Sequence, residues 1–404
     1  GFWLKLTVRV AYMDSEINHA GWFTGSGAEF DRSLLVASCG FLGILTASYL
    51  RGKFIFNYPL KIDETTQQGL FALYNEYKKY LLVGFVVLIV LVAYTNYYFG
   101  IYQRGTITKT ILPYGLNGIY KWLLLFGLAS ISAMILKFEY SQTKKTSYLV
   151  AALSLMEAFV SNVSLLSRGM ILNVGALVYG VLRGLKIYSI KSNFRFLIIN
   201  FTIFIVLFAS SVVVVNYIRS INYLDGNKAP LVQKTKQQTK ALFLDRWVGI
   251  EGVMAVSSYP EQGWDLWNQA WKETYNENKM SFYDENILTK SSYGNTDMTK
   301  HHFISLSGIL AFCFYSGSFA FLFLCMFLIS IFAAIIEMFV FRLGGKNIFL
   351  CALLAQVIAY RFSSFGYVPA QSYLLFGALV LNIILIYGTD KFFVFWYRRK
   401  EKLT

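Results

Sequence analysis

Long apolar runs alternate with short polar connections along most of the chain. A helix of about 20 apolar residues crosses about 30 Å of hydrocarbon, so these runs predict membrane-spanning helices. We place them at about 30–50, 78–99, 118–137, 147–163, 169–184, 196–216, 318–340, 347–361 and 369–388. Residues 1–12 look like the end of another span. Because the chain opens inside an apolar stretch, we expect earlier spans to be missing and the total to be about ten or more.

The polar connections fall into two classes. One class is short and basic, and the positive-inside rule assigns it to the cytoplasm; it reads "RGKFIFNYPLK", "KFEYSQTKK", "RGLKIYSIKSNFR", "RLGGK" and "YRRKEK". The other class then faces outward, at 14–29, 100–117, 164–168, 217–302 and 362–368. Every span changes side under this assignment. The stretch 303–317 fits neither class and is a candidate for a helix lying along the outer surface.

The connection 217–302 is far too long for a simple link between two spans. It divides the chain into N-terminal membrane helices (1–216), a large outer loop (217–302), and C-terminal membrane helices with a cytoplasmic tail (303–404). The loop begins with the polar stretch "NKAPLVQKTKQQTK". "DRWVGIEGVMAVSSYPEQGWDLWNQAW" then predicts an amphipathic helix, a turn and a second helix.

The composition supports a membrane protein. Of the 404 residues, 56% are hydrophobic and only 15% are charged, whereas soluble proteins are about a quarter charged. We therefore predict an all-α, polytopic transmembrane bundle. The net charge of +15 comes from basic residues scattered between apolar segments, which favours an anionic lipid or lipid-linked partner over nucleic acid. All four cysteines lie in apolar runs, which argues against disulfides and a cysteine-bound zinc ion.

Four arginines depart from the expected charge pattern. Arg168 lies at the tip of a short hairpin, Arg219 and Arg361 follow spans, and Arg246 begins the outer helix. All four are predicted near one depth on the outer side. A guanidinium binds phosphate with a planar fork of donors, so the set suits a lipid-linked sugar diphosphate. The alternative is that each arginine reaches lipid headgroups or caps a helix carbonyl.

Glu157 lies in the span before the hairpin tip. If that span is one helix, Glu157, Ser161, Ser164 and Arg168 share a face, and Glu157 lies about 15 Å below the tip. A carboxylate at that depth is too costly to face lipid. It either pairs with a neighbouring base as scaffold or lines a polar cavity that contacts substrate.

Candidate bases and sugar contacts lie in the outer loop. A general base would come from His301, His302 or Glu251; the alternatives are a capped helix start at the lipid interface for the histidines and a solvated helix face for Glu251. Trp247 and Trp264 are candidates for stacking on sugar rings or for packing the helices together. No metal-binding or nucleotide-binding motif stands out, and "DSE" at 14–16 reads better as a turn, so we predict no metal and no cofactor.

Three stretches carry a resemblance to a known family: "LSRGMILN", "DRWVGIEGVMAVSS" and "HHFISLSGILAFCFYSGS". With the outer arginines and the single large outer loop, the chain resembles the Wzy-type O-antigen (repeat-unit) polymerases. These belong, with the O-antigen ligases, to the membrane glycosyltransferases of the GT-C kind. The resemblance implies a site on the periplasmic face of the bacterial inner membrane, where a glycan moves from undecaprenyl diphosphate onto a new lipid-linked repeat unit.

The resemblance also implies roles for the candidate residues and a set of partners. Arg168, Arg246 and Arg361, and more weakly Arg219, would bind the diphosphates without a metal, while His301, His302 or Glu251 would deprotonate the acceptor. The partners would be donor and acceptor lipids, membrane lipids and a possible chain-length regulator, with no nucleic acid. Ligases of this group carry a histidine, a small polar residue and a glycine at a spacing that this chain lacks. Two alternatives stay open: a ligase acting on lipid A core, and a non-enzymatic flippase or transporter, although we see no internal repeat.

Overall fold

The computed structural model describes residues 20–60, 62, 68–167, 169–188, 193–223, 250–276, 279–289 and 304–403. Within these ranges the regular structure is helical and contains no strand. The helices are α1 (Gly27–Leu50), α2 (Gln68–Phe99), α3 (Leu116–Trp122), α4 (Leu128–Thr143), α5 (Tyr148–Ser164), α6 (Met170–Ile187), α7 (Phe194–Tyr223), α8 (Glu251–Ser257), α9 (Trp264–Trp271), α10 (Ile309–Cys313), α11 (Phe319–Leu343), α12 (Ile348–Ser363) and α13 (Tyr373–Leu403). A π-helical turn joins α3 to α4.

Six helical segments in the described ranges are long and apolar enough to cross a membrane. They contain α1, α2, the α3–α4 pair, α7, α11 and α13, and α5 and α12 are shorter apolar helices. The predicted all-α membrane architecture is confirmed at this level. The prediction of about ten spans or more exceeds the six that meet the criterion. Two of the predicted spans, α5 and α12, form helices of 17 and 16 residues, which are too short.

Helices α2 and α13 extend well past their apolar runs, because each gives the other polar partners. Tyr397 donates a hydrogen bond to Glu76 at 2.7 Å, and Lys400 lies 3.4 Å from the same carboxylate. Nearer the bundle, Asp390 accepts a hydrogen bond from the backbone of Leu70 at 3.0 Å. The C-terminal segment that the sequence assigned to a tail is therefore a continuation of α13. Helix α7 ends at Tyr223 and so extends past position 216, where the sequence placed the end of the N-terminal membrane helices.

Within the segment 304–317, residues 309–315 are buried in the protein, so this part is not an exposed surface helix. All five residues of α10 are buried. Gly40 in the middle of α1 makes room for it, since a Cβ there would lie 2.1 Å from the Leu310 side chain. Gly308, at a φ of +81°, donates its backbone N–H to Phe365 at 2.9 Å and so ties α10 to the segment after α12.

Helices α5 and α6 form the hairpin that the sequence predicted. Helix α7 packs along α5, and α12 packs along α6. The α6–α12 contact is close, because a Cβ on Gly180 would lie 3.0 Å from the Phe349 backbone. The hairpin tip therefore lies beside the ends of α7 and α12. We call this end of the bundle the tip end, and the opposite end, where the basic connections lie, the basic end.

Candidate functional site

The hairpin tip, Leu165–Ser167, is built into the protein and not exposed at its surface. Leu165 and Leu166 are buried, and Leu166 adopts a left-handed backbone with a φ of +50°. The backbone of Ser167 donates to the Asn162 carbonyl at 2.8 Å, which closes the turn. Buried Asn96 of α2 donates to both the carbonyl and the hydroxyl of Ser164, at 3.1 and 2.9 Å. The tip is thus a fixed platform on which side chains from other helices converge.

Arg219 reaches this platform from α7. Val212 and Val215 are buried, and Arg219 follows them by seven and four residues, so it lies on the same helix face. Its Nη2 donates to the Leu166 carbonyl at 2.6 Å and to the Arg104 carbonyl at 3.4 Å. One guanidinium therefore ties three separate segments together.

Arg104 comes from the connection between α2 and α3. Its backbone N–H donates to the Leu165 carbonyl at 3.0 Å, and its Nη1 donates to the Tyr360 hydroxyl at 2.8 Å. The guanidinium carbon also lies 5.2 Å from the centre of the Tyr360 ring, within range for a cation–π contact. The sequence argument missed Arg104, although it is an arginine in a short outer connection and meets the criterion applied to the other four.

Arg361 lies in the last turn of α12, directly after Tyr360. Its Nη2 donates to the Ser372 hydroxyl at 2.9 Å, and its guanidinium lies 5.5 Å from the Phe365 ring. Tyr102 interacts electrostatically with both Arg361 and Arg104, and Arg104 donates to Tyr360, the residue before Arg361, so the two arginines come from neighbouring parts of the structure. Among the residues that the structure describes, Arg361 contacts no carboxylate, so these neighbours leave its charge uncompensated.

Helix α6 adds a further positive feature at the tip. It begins at Met170, and no described side chain caps its N-terminus. A helix N-terminus carries a partial positive charge and free N–H donors. Together with Arg104, Arg219 and Arg361, it makes the tip end suitable for an anion with several oxygen atoms.

Glu157 lies inside the bundle and away from this cluster. Its side chain is 1% exposed; Oε1 accepts a hydrogen bond from Ser161 at 2.8 Å, and Oε2 has no partner among the described residues. Ser161 and Ser164 are buried with it on α5, as the helical spacing predicted. Among the described residues, no basic side chain forms a hydrogen bond or an ion pair with Glu157.

Glu251 and Trp264 belong to the pair of outer helices that the sequence predicted as helix, turn and helix. Glu251 is the first residue of α8, is partly buried, and interacts electrostatically with Tyr283. Trp264 is 53% exposed, and its ring lies 4.8 Å from Phe321 and 6.2 Å from Trp267, edge to face. It therefore packs against α11 while leaving half of its surface accessible.

A second carboxylate, Glu273, connects the outer helices to Arg361. Its Oε1 accepts the backbone N–H of Phe282 at 2.5 Å, and its Oε2 accepts that of Val368 at 2.9 Å. Burial raises the pKa of Glu273, and these two donors oppose the rise. Val368 lies seven positions after Arg361, so Glu273 fixes the segment that leaves the arginine cluster. Sequence reasoning missed it because its partner is 95 residues away.

The remaining predicted residues lie outside the described ranges: Arg168, Arg246, Trp247, His301 and His302. Their neighbours in the chain are described in one case, since Ser167 and Gly169 flank Arg168 at the tip. In the described ranges, no group of three or more His, Cys, Asp or Glu side chains has an arrangement that would hold a metal ion.

Comparison with known proteins gives no relative. No protein-family model, no curated protein and no solved structure matches the chain. The case for a function therefore depends on the residues of this chain and on their arrangement.

Proposed function

We propose that the chain is a polymerase of lipid-linked oligosaccharide repeat units, a metal-independent glycosyltransferase of the GT-C kind in the bacterial inner membrane. The observation that carries the proposal is the meeting of Arg104, Arg219 and Arg361 at the hairpin tip, where the sequence also has Arg168. A charged side chain placed within the membrane is energetically costly and usually has a functional role. Three of them around one platform favour a shared anionic ligand.

The anion proposed for this site is the diphosphate of an undecaprenyl carrier. A sugar bound to a diphosphate is already activated, so the main barrier to transfer is the negative charge that develops on the leaving group. Fixed guanidinium groups lower that barrier by stabilising the charge. Arg361 is the best placed of the described three, because its neighbours among these residues are neutral.

The transfer forms one bond and breaks one. A hydroxyl oxygen of the acceptor sugar attacks the anomeric carbon of the donor glycan, and the bond from that carbon to the diphosphate oxygen breaks. Undecaprenyl diphosphate leaves with the electron pair. The hydroxyl proton passes to a base, for which His301, His302 and Glu251 remain the candidates. Arg168 and Arg246 complete the proposed diphosphate contacts. The half-exposed ring of Trp264 would stack on a sugar ring of the substrate.

The direct test is extension of a synthetic lipid-linked repeat unit by the purified protein. We expect Arg361→Ala to lower the rate about 10²–10³-fold, the usual effect of removing one donor that stabilises a transition state. Arg183→Ala is the matched control, because Arg183 is an exposed arginine on α6 near the basic end. Full-length product ladders from Arg361→Ala would contradict the assignment of the site.

The ligase and the transporter predict different products in cells. A strain without a polymerase makes lipid A core with a single repeat unit, whereas a strain without a ligase makes naked core. A strain without a flippase accumulates lipid-linked units on the cytoplasmic side. The proposal requires the first outcome. The product that accumulates after deletion of the gene therefore separates all three functions without knowledge of the sugars.

A further inference from the structure

A cavity of about 1060 Å³ lies between α1, α11 and α12, apart from the arginines at the tip. It exists because side chains on all three helices are small where the helices face one another. The small residues that line it are Ser38, Ala47, Ser48, Ser330, Ala333, Ala334, Ala355, Ala359 and Ser363. Its volume matches that of a site for a drug-sized or lipid-sized ligand.

The cavity is open at the side of the bundle. On α12, Leu354 and Ile358 are buried, whereas Ala355 and Ala359 beside them are exposed. The opening therefore runs along α12, between it and the apolar faces of α1 and α11. Water needs two to four polar partners to occupy such a space, and the wall along α12 is mostly apolar: Leu354, Ala355, Ile358, Ala359 and Phe362 line it, with the Ser363 hydroxyl at one end. Hydrocarbon is the occupant that fits.

At the basic end the cavity is closed by charged groups. Arg51 and Glu337 both line it, with Nη2 of the arginine 2.7 Å from Oε2 of the glutamate. Tyr58 donates to the other glutamate oxygen at 2.5 Å. The guanidinium lies 5.8 and 5.9 Å from the rings of Phe56 and Tyr58, which hold it in place.

Two nitrogen atoms of the Arg51 guanidinium, Nε and Nη2, are buried and make no hydrogen bond with good geometry among the described residues. Nη2 still has the Glu337 carboxylate 2.7 Å away, so Nε is the one of the two without this ion pair. A buried donor without an acceptor is costly, and a phosphate oxygen is the strong acceptor that a guanidinium favours. Lys53, in the same helical turn, is exposed and adds a second positive charge beside this end.

We propose that this cavity binds a diacyl phospholipid of the surrounding bilayer. The phosphate accepts a hydrogen bond from Nε of Arg51 at the basic end, and one acyl chain lies in the cavity along Ala355 and Ala359. The site is separate from the tip end and does not depend on the proposed polymerase activity. It is a structural lipid site, in which the lipid replaces side chains that α1, α11 and α12 lack.

The test uses the full chain, purified in mild detergent and then depleted of lipid. Thermal unfolding is followed with added dioleoylphosphatidylglycerol, and with dioleoylglycerol as the probe that has the chains but no phosphate. We expect the phosphate lipid to raise the melting temperature more than dioleoylglycerol does, and native mass spectrometry to show one phospholipid retained per chain. Arg51→Gln is expected to weaken binding of the phosphate lipid about tenfold and to leave the response to dioleoylglycerol unchanged.

A second, independent test fills the cavity with larger side chains, which should reduce the effect of added lipid on the melting temperature. In Ala355→Leu and Ala359→Leu, the new side chains occupy the space of the acyl chain, so the lipid-depleted protein melts at a higher temperature and responds less to added lipid. Gly84→Leu is the matched control, since a side chain at that position of α2 meets nothing within 4 Å.

Three results would overturn the proposal: unchanged lipid retention in both filling variants, a polyprenyl phosphate as the retained lipid, or undiminished affinity in Arg51→Gln. If the filling variants do not fold, Arg51→Lys decides, because lysine keeps the charge and lacks the Nε donor. Wild-type affinity in Arg51→Lys would then reject the placement of the phosphate.

Discussion

Replacing Glu273 tests whether the outer helices position the segment after α12. Both oxygens of this carboxylate accept backbone N–H groups, from Phe282 on one side and Val368 on the other. Glu273→Ala removes both acceptors, and Glu273→Gln keeps one, because the amide nitrogen cannot accept. The two variants should therefore release the segment to different extents.

The size of the effect follows from the hydrogen bonds lost. Leaving a buried donor unsatisfied costs about 1–3 kcal/mol, and Glu273 is only partly buried, so about 1–2 kcal/mol for each N–H is the appropriate range. Glu273→Ala should then lower the free energy of local opening by about 2–4 kcal/mol and Glu273→Gln by about half as much. Since 1.4 kcal/mol is a factor of ten, amide exchange should accelerate roughly 30- to 1000-fold in the alanine variant.

Hydrogen–deuterium exchange of the purified chain measures this directly. Peptides that contain Phe282 and Val368 should lose protection together, while peptides from α5 should exchange as in the wild type. Glu261→Ala is the control, because Glu261 is an exposed carboxylate in the turn between α8 and α9. If Glu273→Ala left both amides as protected as in the wild type, the reasoning about this connection would be wrong.

Four further outcomes are expected. Arg168→Ala and Arg246→Ala should abolish chain extension while the protein still folds and inserts, as judged by product ladders and by yield from membranes. Activity should persist in chelator; loss that magnesium restores would revive a metal site. Asn96→Leu should lower the stability in thermal unfolding by at least about 2 kcal/mol, because it leaves the buried Ser164 carbonyl without its partner. Burial raises the pKa of Glu273, so its contribution to stability is present below about pH 4 and is lost as pH rises through the raised value; Glu273→Gln should remove this part of the pH dependence in unfolding experiments.

Six of the nine spans predicted from apolar runs coincide with helical segments that are long and apolar enough to cross a membrane, because length and hydrophobicity of a run are local properties of the sequence. The short arms of the α5–α6 hairpin and the helix, turn and helix of α8 and α9 also follow from local pattern. The ends of α2 and α13 do not, because they continue through charged sequence only where Glu76 meets Tyr397 and Lys400. Such partners lie hundreds of positions apart and leave no signal in either segment alone.

The residues of the candidate site also fall into two groups, those that the sequence indicates and those that only the fold reveals. Arg219 and Arg361 were recognised because an arginine in a predicted outer connection is unusual. Arg104 satisfies that condition too, but its importance comes from the folding of its segment over Leu165, which no local pattern indicates. Glu273 has the appearance of an ordinary loop carboxylate until its contact with Val368 is seen. The roles of all the candidate residues stay predictions, and five of them lie outside the described ranges: Arg168, Arg246, Trp247, His301 and His302.

The arginine cluster depends on two parts of the protein at once. Arg104 and Arg219 are held by the hairpin tip, which the membrane helices fix through Asn96. The segment that follows Arg361 is held by other contacts: the ring centres of Phe365 and Phe312 lie 5.0 Å apart, and the backbone N–H of Val368 donates to Glu273. A ligand that moved α8 and α9 would therefore shift Arg361 relative to the other two. If the three guanidiniums bind one anion, as proposed, their separation would weaken that binding, so changes in α8 and α9 should alter the rate of chain extension without altering membrane insertion.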